Sequence, residues 1–150
     1  MVHKLLIYLI LISGLIFVSS CNSQKKEEKF NKIINYFEKV HNYKLGNDIN
    51  KIVIISEGKG CASCEKAFAK TALEYLVDST VFLVTATGNH IDIQPFLQLE
   101  RNCFVDWQLN ATEYSEFVSS RVIYLKNNEI DTVIIINSNE IMQQLEFIRK

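Results

Sequence analysis

Proline is nearly missing from this chain: Pro95 is the only one in 150 residues. A cis X–Pro bond therefore has one possible place, and every other loop closes without it. Clustered positive charge is missing too. The 16 Lys and Arg residues are interspersed with 17 Asp and Glu, the formal net charge is -1, and no basic cluster carries interleaved aromatics. Nucleic-acid binding thus lacks its electrostatic footprint. There is no second CxxC and no HxxxH, so no metal centre is assigned from motif spacing and no cofactor is implied. Apolar runs of membrane-spanning length are absent as well. The run from Leu5 to Ile12 is marginal for a spanning helix and suits the core of a signal peptide.

What is present begins with that leader. Lys4 precedes the apolar run, Ser13-Gly14 breaks it, and Val18-Ser19-Ser20-Cys21 ends it, so residues 1–20 are expected to be a signal peptide outside the fold. The ending resembles the lipobox of bacterial lipoproteins, in which the cysteine is acylated and becomes the first residue. That resemblance implies lipidation (a palmitate-type anchor) at Cys21 and a place in the bacterial cell envelope, on the periplasmic side of the inner or outer membrane. An uncleaved anchor with an incidental cysteine is the alternative; both put the folded part outside the cytoplasm. Residues 21–29 are polar and aperiodic, as a tether should be, and 30–150 has the size of one domain with one sizeable core.

The folded part is organised around residues 51–76. Lys51-Ile52-Val53-Ile54-Ile55 is a short β-branched run expected to be a buried strand, and Glu57-Gly58-Lys59-Gly60 ends it. Cys61-Ala62-Ser63-Cys64 follows, and Phe68, Ala69, Ala72, Leu73 and Leu76 then recur at helical spacing. Two thiols therefore sit on the first turn of an amphipathic helix. Unpaired N–H groups and a partial positive charge there stabilise a thiolate at Cys61, with Lys59 adding positive charge. Cys64, three residues on, shares its face and is placed to attack a mixed disulfide at Cys61. With Cys21 acylated, three cysteines remain; the simplest pairing joins Cys61 to Cys64 and leaves Cys103 as a single thiol, read as a small buried hydrophobe ahead of a third redox participant.

Around this unit the pattern predicts a core-packing helix through Phe30, Ile33, Ile34, Phe37 and Val40, ranked above a helix lying on a membrane surface. Val81 to Ala86 is expected to be a second strand, parallel to the first. Ile91 to Arg101, with Phe96, Leu97 and Leu99, is expected to hold a helix that starts near Ile93 or Gln94 with Pro95 in its first turn, and Cys103 to Trp107 suggests a short strand with Trp107 in the core. Arg121 to Leu125 and Ile130 to Ile136 read as a hairpin turning at Asn127-Asn128. Ser138 is expected to cap a last helix whose buried stripe is Ile141, Leu145 and Ile148. His41 is placed at a helix end that suits its charge, and His90 in a solvated loop.

Strand, CxxC helix, strand, hairpin and final helix together resemble the thioredoxin-like family, especially its lipid-anchored members in Bacteroidota. The resemblance implies an α/β fold: a three-layer α/β/α sandwich with a mixed central sheet of about four to five strands. It also implies thiol–disulfide exchange, with Cys61 as the attacking thiol and Cys64 as the resolving thiol. Protein thiol or disulfide clients and a membrane redox partner would be its partners. The sequence departs from the family pattern in three places. The loop that usually carries a cis-proline and docks substrate falls at Ser119, Ser120 and Arg121; without proline a cis bond costs about 3 kcal/mol, so a trans loop is expected. Gly60 replaces the usual aromatic before the first cysteine. Ile55 stands near the place of the usual buried acid, which leaves Glu57, Glu65 or water to move protons at Cys64. At this level three readings of the pair stay open: a redox-active disulfide, an inert staple within a binding module, and a metal-handling site.

Overall fold

The computed structural model describes residues 27–58, 61–86, 88–99 and 102–150. The leader, Cys21 and the tether as far as residue 26 lie outside the described residues, as does Lys59. Helix α1 covers residues 27–41, so it is already formed at Glu27, Glu28 and Lys29, where an i,i+4 pair joins Lys32 to Glu28 at 3.0 Å. Phe30, Ile33 and Phe37 are buried as their spacing predicts, and Tyr36 joins them, while Val40 is exposed. The apolar stripe of α1 is thus taken up against the sheet, and the membrane-surface reading does not describe it.

Strand β1 (Lys51–Ser56) leads to helix α2 (Ala62–Tyr75) and strand β2 (Thr80–Thr85). Helix α3 (Gln94–Leu97), strand β3 (Cys103–Val105) and two 3-10 turns follow. The hairpin β4 (Arg121–Lys126) and β5 (Glu129–Ile135) and helix α4 (Ile141–Ile148) complete the chain. The five strands form one mixed sheet in the order β3-β2-β1-β4-β5. β1 is parallel to β2, with Ile52 opposite Val81, and antiparallel to β4, with Ile54 opposite Arg121. β3 adds to β2 in parallel, and β4 pairs with β5 antiparallel.

Alternation along the two central strands builds two cores. Ile52, Ile54, Val81 and Leu83 pack with Phe37 of α1 on one face; Val53, Ile55, Phe82 and Val84 pack with Phe68 of α2 and Leu145 of α4 on the other. Because both faces are covered, β1 and β2 are continuous apolar runs rather than alternating ones. Each of these side chains contributes about 1.5–3 kcal/mol on leaving water. The result is the three-layer thioredoxin-like α/β architecture that the order of elements led us to expect.

Four local expectations come out differently. Asn137, not Ser138, caps the approach to α4: its Oδ1 accepts the N–H groups of Asn139 and Glu140, both at 3.1 Å. Trp107 is 59% exposed, because β3 ends at Val105 and the chain turns before strand alternation reaches it. His41 is not a charged helix end. Its ring sits among Tyr36, Phe37 and Phe104, and burial lowers its pKa while the Asp106 carboxylate opposes the shift. α3 starts where Pro95 predicts but stops after four residues. At the hairpin, Asn127 and Asn128 both adopt positive φ, 54° and 61°, as a primed turn requires.

Candidate functional site

The carboxyl ends of the parallel strands β1 and β2, the start of α2 and the loop entering β4 meet at one end of the sheet. This is where open α/β sheets place their chemistry. Cys61 is the N-cap of α2, with φ -78° and ψ 106°, and its Sγ accepts the Cys64 N–H at 3.3 Å. The Glu65 N–H reaches the Cys61 carbonyl at 3.0 Å and closes the first turn. Cys61 is half-exposed and Cys64 buried, and the two are joined as a disulfide with Cα atoms 5.1 Å apart. Ser63 Oγ lies 3.1 Å from Cys61 Sγ. The outer sulfur therefore already occupies the place of a side-chain acceptor for an unpaired helix N–H, an interaction that strengthens when the sulfur carries negative charge.

The carboxylates named from the sequence come together through His90, which the sequence reading had placed in a solvated loop. Glu57 leaves the end of β1, and its Oε1 accepts the N–H groups of His90 and Ile91 at 2.8 and 2.9 Å. Glu65, next to Cys64, meets His90 from the other side: Nε2 and Glu65 Oε2 are 2.6 Å apart, while Nδ1 lies 3.9 Å from Glu57 Oε1. Both carboxylate side chains are nearly buried, at 5% and 7% exposure, whereas the His90 ring is 24% exposed. The expectation of a solvated His90 is thereby corrected. Gly58 lets the chain pass close to the loop before β4: a Cβ there would stand only 2.8 Å from the Val118 carbonyl, while Glu65 Oε1, at 3.8 Å, would be in ordinary contact. A side chain at Gly58 would collide with the backbone that closes the site.

That backbone belongs to the loop assigned to substrate docking. No cis peptide bond occurs among the described residues, so the loop entering β4 is trans, and a serine does the fastening. Ser120 Oγ accepts the Ser56 N–H at 2.9 Å and donates to the Ser56 carbonyl at 3.1 Å, and both residues are buried. Ser56 Oγ donates in turn to the Val118 carbonyl at 3.2 Å. The Ser119 carbonyl accepts from Arg121 Nε at 3.1 Å and the Ser120 carbonyl from the Ile136 N–H at 2.9 Å. Three successive carbonyl oxygens thus each accept a bond from within the chain. Burial lowers the Arg121 pKa, and the Glu116 carboxylate opposes that shift.

A groove of about 410 Å3 runs beside His90, between α2 and the segment leading into α3, with Lys66, Lys70, Leu73, Asp92 and Pro95 in its walls. Cys103 lies apart from the pair on β3, and burial pushes its thiol up to about 11, which keeps it protonated and unreactive near neutrality. Among the described residues no group of three His, Cys, Asp or Glu side chains could hold a metal ion. The two carboxylates approach opposite edges of one imidazole and do not converge. No described helix is long and apolar enough to cross a membrane. Comparison with protein-family models, curated proteins and solved structures finds no match. The fold and a CxxC pair at disulfide distance, compatible with redox function, are what the molecule itself offers.

Proposed function

We propose that this protein is a membrane-anchored, extracytoplasmic thiol–disulfide oxidoreductase of thioredoxin-like type, acting on protein thiols through Cys61 and Cys64. One observation carries the reading: the half-exposed sulfur of the pair sits on the helix N-cap and accepts a helix N–H, while its partner is buried beneath it. A staple needs the bond but not this placement. In the reducing direction the Cys61 thiolate attacks a client disulfide, one client sulfur leaves, and the Cys64 thiolate then closes on Cys61 and releases the other. The start of α2 and Lys59 favour the thiolate, Glu57 and Glu65 handle the Cys64 proton, and the loop at Ser119, Ser120 and Arg121 faces the client. Acylated Cys21 holds the domain at the periplasmic side of an envelope membrane, within reach of a membrane redox partner.

Equilibration in glutathione buffers, followed by thiol alkylation, tests this. The expected midpoint lies between about -270 and -120 mV, the span of exchanging dithiol proteins. A pair that stays oxidised under all but forcing reduction overturns the proposal. That outcome would favour the second reading, a thioredoxin-fold binding module stapled at its helix start, for which the closed loop before β4 is the supporting observation. Membrane fractionation of Cys21→Ser tests the anchor: the variant should move to the soluble fraction.

A further inference from the structure

The mechanism above gives no work to the group that joins its two carboxylates. We propose that His90 is a positioning residue that couples proton binding to disulfide exchange: held between Glu57 and Glu65, it turns ambient pH into a change of charge beside the cysteine pair. This inference rests on the oxidoreductase reading and deepens it.

The geometry is specific. At 2.6 Å the Nε2–Oε2 contact has the length of a charge-assisted hydrogen bond. The backbone that carries the ring is anchored, because Glu57 Oε1 accepts the N–H groups of both His90 and Ile91, and the ring itself is held by Glu65. Of the three groups, only the imidazole shows appreciable surface to solvent, so it is the route by which protons reach the two carboxylates. Glu65 follows Cys64 directly, and neighbouring residues on a helix do not face each other, so it acts on the sulfurs through its field and through solvent rather than by contact. With His90 neutral, the carboxylates oppose negative charge on sulfur; with His90 protonated, one of them is cancelled and the thiolate is favoured. Other charges face the ring. Lys66, Lys70 and Glu74 of α2 and Asp92 of its own segment share the adjoining groove, where solvent screens them.

The exchange balances as follows when a client dithiol reduces the pair. A client thiolate attacks Cys61, the Cys61–Cys64 bond breaks, and Cys64 leaves with the electron pair and takes a proton from the Glu65–His90 pair. The second client thiol returns a proton to that pair and attacks the first client sulfur. A client disulfide forms, and Cys61 departs as thiolate. Two client sulfurs are oxidised, two enzyme sulfurs are reduced, and one proton has passed from client to Cys64.

Because coupling is reciprocal, the redox state must change the proton affinity of His90. The test follows the His90 ring resonances by NMR through a pH titration of the oxidised and the dithiothreitol-reduced protein. The titration should move upward in the reduced form, since a thiolate then adds negative charge on the first turn of the helix that carries Glu65. In parallel, the pH profile of Cys61 alkylation in the reduced protein should lose an inflection in His90→Gln, which keeps a polar side chain but does not titrate. A structural role alone would lower stability without removing that inflection. If the pair exchanges with glutathione but His90 titrates identically in both states, the coupling is wrong and the oxidoreductase reading stands. If glutathione does not exchange the pair at all, both fall.

Discussion

Removing the Ser120 hydroxyl should loosen the floor of the site by a measurable amount. In Ser120→Ala one oxygen is lost and two hydrogen bonds go with it, one from the Ser56 N–H at 2.9 Å and one to the Ser56 carbonyl at 3.1 Å. Ser56 and Ser120 are 4% and 2% exposed, so water does not readily replace what is lost. Each of the two bonds contributes about 1 kcal/mol net, and an orphaned buried N–H adds about 1–3 kcal/mol, which together predict a loss of about 3–5 kcal/mol. For a chain of this size that is a fall in Tm of roughly 10 °C. Urea unfolding of the oxidised protein, followed by far-UV circular dichroism, measures it, and Ser120→Thr should keep most of the stability because the hydroxyl remains. A loss under about 0.5 kcal/mol with an unchanged denaturant slope would refute the argument that this hydroxyl holds the trans loop in place.

Three further outcomes are expected. Burial raises the Cys103 pKa from 9.0 to about 11, so its stabilising contribution is complete below pH 9 and is lost as pH rises through about 11. Cys103→Val should flatten that alkaline slope, and in wild type the alkylation of Cys103 should accelerate up to the same pH. Burial lowers His41 from its ordinary value of 6.5, so the folded state favours the neutral ring; its contribution is present above that value and is lost as pH falls. Denaturation of His41→Phe at successive pH values should show a shallower acid slope than wild type. Asn128 has φ 61°, which glycine adopts without strain, so Asn128→Gly should change stability by no more than about 1 kcal/mol. Asn128→Val, β-branched and strained there, should lose clearly more in the same thermal scan.

The elements legible in the sequence are those with one dominant signal. Ile52 to Ile55 and Val81 to Val84 are buried on both faces, so their apolar runs announce central strands whatever surrounds them. The CxxC helix and the Asn-Asn hairpin likewise combine a local conformational demand with a hydrophobic pattern. His90 was less legible because its meaning depends on Glu65, 25 residues earlier, and on Glu57, 33 residues earlier. A signal did exist: a histidine just past the end of a strand parallel to β1 must emerge beside the start of the helix that follows β1. Ser120 was visible as the residue where a proline is expected, but its two bonds to Ser56 depend on the register of β4 against β1. Trp107 misled because residue type was weighed above position, and a strand of three residues ends before its alternation can bury a fifth.

The row of engaged carbonyls from Val118 to Ser120 has a bearing on discrimination. A rim with idle acceptors would grip any extended polypeptide by its amides and handle strangers alike. Here each of those oxygens already accepts a bond from within the chain, so under the proposed exchange reaction a client would find its grip on this rim weakened and would be told apart more by its side chains than by its amides.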